Sequence, residues 1–237
     1  MSDEEAENPD EGAEPEESEE AKGQVVEVEV EELDEEALER RRAALAEVHQ
    51  WGDPVLRSAA SPVREFSSEL AAEAERMIGL MRDALGVGLA ATQLGALRRL
   101  LVYQAGPEAE PRALVNPSVE WASEETEVAE EGCLSLLGVS VDVERPAQVR
   151  VKAQELDGSE VEIEAEGLEA RVIQHEVDHL NGILILDRTV SEQRRGAVAA
   201  LREGSTFEPA DLLPEEPEAA SEEDGSLEPA SERVPAE

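Results

Sequence analysis

The chain has one cysteine, so no disulfide can form within it. It is also short of positive charge: 20 Lys and Arg stand against 59 Asp and Glu, a formal net charge of −39. Direct nucleic-acid binding needs clustered Lys and Arg to displace phosphate counterions, and this composition argues against it. An anionic membrane surface is disfavoured for the same reason. No apolar run approaches the ~20 residues that span a bilayer. Near Met1 there is no basic segment followed by an apolar stretch, so no secretory signal is read there. The expected location is the cytoplasm.

The charge is spread unevenly. Residues 1–40 carry 19 acidic side chains against two basic ones, and residues 203–237 carry 12 against a single Arg. Both ends are rich in Glu, Pro, Ala and Ser, and they bury too little apolar surface to offset the entropy of ordering. The expected organisation is an acidic, disordered extension over 1–45, a folded core over 46–204 and a second acidic tail over 205–237. Charge runs of this kind most often serve as solubilising, self-repelling tails.

Within the core, Asp34 to Val48 has helical composition, with acid at its start and Arg in its middle. Trp51-Gly52-Asp53-Pro54 is a turn signal. Leu70, Ala74, Met77, Met81, Ala84 and Leu85 recur at spacings of three and four. That period predicts an amphipathic helix over 67–85, with Ser67 or Ser68 as its N-cap and Gly86 just beyond its end. Strands are expected at Arg99–Gln104 and Arg112–Val115. A hairpin is expected from Gln148–Leu156 and Glu160–Ala165 around Asp157-Gly158. Further helices are expected over Leu168–Leu180, stopping at Asn181-Gly182, and over Ser191–Arg202. Strands with helices before, within and after them point to an α+β class rather than a βαβ series.

Histidine is scarce, yet two of the three fall in His175-Glu176-Val177-Asp178-His179. Residues four apart lie one above the other on a helix, so both imidazoles can reach one ion, with Glu176 beside them to handle a proton of water. Two histidines leave a tetrahedral ion short of a ligand. The single thiol, Cys133, sits in Glu130-Glu131-Gly132-Cys133-Leu134-Ser135. A thiolate is a strong ligand for Zn²⁺ and Fe²⁺, and a Cys/His/His set leaves a fourth position open. His49 stands alone in a polar stretch and reads as structural. Gly86-Val87-Gly88-Leu89-Ala90-Ala91-Thr92-Gln93 is dense in small residues that allow close backbone approach, and Gln93 adds an amide donor. It is neither a phosphate loop nor a dinucleotide fingerprint.

Taken together, Gly86–Gln93, Glu131–Ser135 and Gln174–Leu180 match in order the GxGLAAxQ loop, EGCLS strand and QHExDHL helix by which peptide deformylases are recognised. Flanking stretches agree: Gly52–Arg57, Asn116-Pro117, Glu144-Arg145-Pro146 and Asn181-Gly182. Over roughly 50–190 the chain resembles that family. One departure is Leu137, where the family commonly has proline, which leaves the loop Leu136–Val139 open to a different conformation.

The resemblance implies antiparallel sheets packed around a central metal-binding helix, with an amphipathic helix before it and a helix at the C-terminal end. It implies hydrolysis of the N-formyl group from the terminal methionine of nascent proteins, with possible ribosome association near the exit tunnel. Cys133, His175 and His179 would bind the ion, Fe²⁺ in the native enzyme, with Zn²⁺, Ni²⁺ or Co²⁺ as alternatives. Glu176 would act as general base and then general acid. The Gln93 amide and the backbone N–H of Leu134 would meet negative charge growing on the formyl oxygen. Crowding around Gly88 would reject larger acyl groups, and Val87, Leu168 and Val172 are nominated for the methionine pocket. Asp178 and Gln174 are expected to support the ligands or to pack. Two other readings are open at this point. One is an HExxH metallopeptidase, which takes its third ligand from downstream. The other is a deformylase-like binding or regulatory module without activity.

Overall fold

Strand β2 (Leu100–Tyr103) is buried at all four of its positions, Leu-Leu-Val-Tyr. Side chains alternate across a strand, so a strand apolar on both faces must be covered on both. The structure, a computed structural model describing residues 33–212, shows what covers it. β2 lies in a five-stranded antiparallel sheet of order β1-β2-β3-β6-β7, formed by β1 (Gly88–Ala90), β2, β3 (Arg112–Ala122), β6 (Gln148–Gln154) and β7 (Glu160–Glu166). Leu100 and Val102 face α2 (Ser68–Asp83) and α1 (Glu35–Glu47), where Leu70, Ala74, Met77, Met81, Ala44 and Val48 complete one apolar cluster. Leu101 and Tyr103 face α3 (Gly167–Leu180), packing with Val172, Ile173, Val177 and Leu180.

A separate two-stranded sheet, β4 (Thr126–Gly132) with β5 (Ser140–Pro146), lies against a third cluster. Val141 and Val143 of β5 meet Ala197 and Ala200 of α4 (Ser191–Glu203), together with Leu56, Leu186 and Phe207. The class is α+β, with antiparallel sheets and four α-helices among the described residues. The hairpin around Asp157-Gly158 forms, with Gln154 opposite Glu160. β7 is an edge strand that exposes Glu160, Glu162, Glu164 and Glu166, a row of like charge that blunts edge-to-edge pairing. The acidic extensions expected at the two ends lie largely outside the described residues. Packing continues past 46–204 in both directions, since Ala44 and Phe207 are buried.

Several local expectations change. β3 continues through Asn116-Pro117 to Ala122 instead of stopping at Val115. It tolerates the proline because the register shifts there, with Asn116 at φ 53°. Asn116 also ties the sheet to the preceding loop: its side chain accepts from Val63 N–H at 2.8 Å and donates to the Val63 carbonyl at 2.9 Å. Apart from Glu131-Gly132 at the end of β4, β4 and β5 were not expected as strands. β4 is mostly polar and pairs only with β5, so it lacks the apolar alternation that marks a strand. The Glu131–Ser135 block is not all strand: β4 ends at Gly132 and Cys133 opens a turn. After α2 it is Leu85, at φ 62°, that takes the left-handed position expected of Gly86. Gly86 serves close packing instead, because a Cβ there would lie 2.8 Å from Leu134 Cδ1.

The end of α3 is fixed in the same way. Gly182 has φ +74°, and a Cβ on it would stand 2.7 Å from the Arg57 carbonyl oxygen. Both conformation and space demand glycine here. Gly182→Ala is expected to cost about 1–3 kcal/mol, read as a lower urea midpoint with an unchanged slope.

Candidate metal centre

From Ala170 to Leu180 helix α3 is buried on nearly every side, although it carries Arg171, His175, Glu176, Asp178 and His179. Charged groups in such a place require partners, and β4 and β5 supply them. Glu131, the last acidic residue of β4, is fully buried. Its carboxylate accepts from Arg145 Nε at 2.6 Å and Nη2 at 2.9 Å, from Arg171 Nη1 at 2.8 Å and from His175 Nδ1 at 2.9 Å. Arg145 also donates to Asp178 at 2.9 Å, and Asp178 accepts from Arg188 at 3.0 Å and 2.5 Å. Arg171 also donates to the carbonyls of Val143 and Glu127.

The hydrogen bond to Glu131 decides what His175 offers. Its Nδ1–H donates to the carboxylate, which turns Nε2 toward the interior. His175 Nε2 is buried there without a hydrogen-bond partner, as is Nδ1 of His179. Cys133 arrives from the end of β4, and its Sγ lies 3.3 Å from His179 Nε2. One ligand atom from each of Cys133, His175 and His179 falls within 4.8 Å of the others, and all three residues are buried. Donors bonded to one ion at 2.0–2.3 Å stand about 3–4 Å apart. The set therefore fits a divalent ion that accepts sulfur and nitrogen.

Electrostatics divide the two imidazoles. Burial pushes His175 down, but the attraction of Cys133 and the hydrogen bond and charge of Glu131 outweigh it and lift the imidazole to about 10. Burial and the neighbouring charge of His175 hold His179 well below its ordinary value. For Glu131 burial raises the pKa, yet Arg145 and His175 hold the carboxyl far below the usual carboxylate range.

The glycine-rich loop closes the other side. Gln93 Oε1 accepts from Ala90 N–H at 2.8 Å, which directs Nε2 toward Ser135 Oγ at 3.2 Å and Cys133 Sγ at 3.9 Å. Thr92 Oγ1 donates to the carbonyl of His179 at 3.2 Å, tying this loop to α3. Gly88 faces Glu176: a Cβ at Gly88 would lie 2.3 Å from Glu176 Oε1. Only a residue without a side chain admits the carboxylate there. Leu134, next to the thiol, is buried. Val87 and Val172 are buried in one apolar cluster with Leu168 packed against it. Leu168 also lines a cleft of about 470 Å³ with Tyr103, Ala105, Arg112 and Glu169. Gln174 donates to the carbonyls of Pro146 and Ala170, both at 3.0 Å, a packing role. Leu137 is exposed on the turn after Cys133.

The family model described as polypeptide deformylase matches residues 45–195. The chain belongs to the peptide deformylase family. A peptide deformylase of Thermotoga neapolitana is 49% identical over 147 residues, 62% of this chain and 88% of that protein. Peptide deformylase 1 of Corynebacterium glutamicum is 42% identical over 166 residues, 69% of this chain and 98% of that protein. The crystal structure of the peptide deformylase from Thermotoga maritima matches with a TM-score of 0.59 at 48% identity, covering 60% of this chain and 96% of that one. The protein is accordingly a deformylase, a hydrolase that acts on the N-formyl group of N-formylmethionyl peptides. This family is metal-dependent, and the Cys133, His175 and His179 group could hold the ion.

Sequence reasoning passed over Glu131, Arg145 and Arg171 as site residues. Their only signal was position, Glu131 inside the cysteine block and Arg145 in the flanking Glu144-Arg145-Pro146. By composition each reads as one more surface charge.

Removing the Glu131 charge leaves buried Arg171 without its carboxylate and Arg145 with Asp178 as its remaining one. Glu131→Gln is expected to cost about 3–5 kcal/mol and to weaken metal affinity about 10–100-fold, measured by urea unfolding and by competition with a chelator. The depressed pKa of Glu131 stabilises the fold fully above the ordinary value of 4.5, and that stabilisation is lost as pH falls below it. The variant should therefore show a flatter loss of stability toward acid than the parent.

Proposed function

We propose that Cys133, His175 and His179 hold a divalent ion, Fe²⁺ in the native enzyme with Zn²⁺, Ni²⁺ or Co²⁺ able to substitute, and that Glu176 carries the proton chemistry of deformylation. The observation behind this reading is the convergence of the chain's one thiol on two imidazoles in a buried pocket, with His175 Nε2 left unpartnered. When bound, such an ion supplies Lewis acidity, drawing the pKa of a water toward neutrality and withdrawing charge from a carbonyl oxygen.

The chain's own groups perform the rest. Glu176, seated against Gly88, takes the proton of the attacking water and passes it to the departing amine. The Gln93 Nε2 and the Leu134 N–H face the formyl oxygen and stabilise its growing negative charge. Glu131 holds His175 in the tautomer and orientation that a ligand requires. Val87, Leu168 and Val172 bind the methionine side chain. Gly88 and Glu176 leave space for a formyl hydrogen but not for the methyl of an acetyl group.

In the cell we place the enzyme in the cytoplasm, on nascent chains near the ribosome exit. The acidic segments at the two ends suit basic protein surfaces rather than ribosomal RNA. No helix among the described residues is long and apolar enough to cross a membrane. The HExxH metallopeptidase reading is disfavoured, because the third ligand comes from upstream Cys133. The inactive-module reading is disfavoured by the presence of Glu176, buried and seated against Gly88.

The test is amine release from a formyl-Met tripeptide by anaerobically prepared, Fe²⁺-loaded protein. Turnover is expected in the parent, with a fall of about 10²–10⁴-fold in Glu176→Ala while the ion stays bound. A parent that binds metal and leaves the peptide intact would sink the assignment of this centre. The proton on His175 adds a second expectation, since its pKa near 10 means that an ion must displace that proton at neutral pH. Metal affinity should rise with pH between 6 and 9, by up to about tenfold per unit. Calorimetry in buffers of different ionisation enthalpy should show net proton release as the ion binds, and a pH-independent affinity would contradict it.

A further inference from the structure

We propose that the segment His49–Trp51 is a clamp that sets the spacing of the Gln93 loop and the Cys133–Ser135 turn, with Gln50 as its positioning residue. This rests on the reading that Gln93 and the Leu134 N–H face the formyl oxygen. Three consecutive residues reach both loops. His49 N–H donates to the Gln93 carbonyl at 2.8 Å, and Trp51 N–H donates to the Ser135 carbonyl at 2.8 Å. Between them the Gln50 side-chain amide donates to the Leu134 carbonyl at 3.0 Å and to the Val48 carbonyl at 3.1 Å.

The clamp has firm ends. Val48 is buried in the cluster that holds Leu134, and Leu56 is buried in the cluster that holds Cys133. His49 Nδ1 lies 2.6 Å from Asp53 Oδ2, and the other oxygen of Asp53 accepts from Val55 N–H at 2.9 Å, capping the turn at Pro54–Arg57. The turn being held is itself tight: Leu136 N–H donates to the Cys133 carbonyl at 2.9 Å and Ser135 N–H to Cys133 Sγ at 3.4 Å. The Leu134 N–H shares its peptide plane with the Cys133 carbonyl, which Leu136 N–H holds, and the clamp fixes the two peptide planes that follow.

Of the three links only one is made by a side chain, and that residue is exposed. Gln50 can therefore be replaced without disturbing the core. Donors aimed at developing charge act on the transition state more than on bound substrate. Loosening the clamp should then lower kcat and leave KM in place.

The experiment uses the full-length, metal-loaded protein and a formyl-Met tripeptide, with three variants. Gln50→Met has similar length but no donor, Gln50→Lys keeps a donor, and Gln93→Leu removes the group the clamp is meant to place. Gln50→Met is expected to lower kcat about tenfold, as for displacement of catalytic groups by a fraction of an ångström, with KM, metal content and Tm as in the parent. Gln50→Lys should remain within about threefold of the parent, and Gln93→Leu should lose about a hundredfold. If Gln50→Met matches the parent while Gln93→Leu is impaired, the clamp is wrong and the oxyanion assignment stands. A fully active Gln93→Leu removes the assignment and the clamp together. A Gln50→Met protein that loses metal, melts early or shows its defect in KM has lost general structure, which overturns a positioning role. Equal impairment of Gln50→Lys and Gln50→Met overturns the donor as its cause.

Discussion

Glu131 is the point on which the centre depends. A carboxylate with no exposed surface would lift its own pKa and discharge unless positive groups surround it. Here two arginines and a histidine do so, from β5 and α3, and Asp178 with Arg188 extends the chain of charge toward solvent. These contacts join the small sheet, whose apolar side chains pack with α4, to the central helix, whose apolar side chains lie in the cluster of the large sheet. Buried ion pairs contribute little net stability when compared with apolar packing, but removing one member is costly. Their use in this fold is geometric: the same carboxylate that binds the arginines holds His175.

A second constraint comes from atoms that are missing. The glycine-rich loop carries Gly86 against Leu134 and Gly88 against Glu176, and a Cβ at either place would fall within 3 Å of its neighbour. The loop thus approaches the cysteine turn at one glycine and the helix carboxylate at the other. Gln93 then completes the enclosure, with one end of its amide spent on Ala90 and the other directed at the turn. Loop, turn and helix come from three separate stretches of chain, and each is indexed to the next by one close contact.

Much of this was legible beforehand. The period of α2, the Asp157-Gly158 hairpin and the spacing of His175 and His179 are local patterns, and all three elements formed as their residues predicted. The strands β4 and β5 were missed: β4 is polar and has no apolar period, and β5 alternates over only two apolar residues, Val141 and Val143. The proline at position 117 hid the second half of β3, since a shift in register, invisible in composition, is what accommodates it. Likewise Arg145 and Arg171 look like surface residues until the fold buries them beside Glu131.

The sequence alone therefore determined the chemistry available: a thiol, two imidazoles one helical turn apart and a carboxylate between them, each a property of residue type and short-range spacing. Tertiary structure decided which nitrogen of His175 is free, which charges lie inside and how near Gly88 stands to Glu176. Those outcomes depend on contacts between segments 40 or more residues apart along the chain. Local propensity does not encode such contacts, because burial of the three apolar clusters brings the segments together and the polar groups then pair with what they meet.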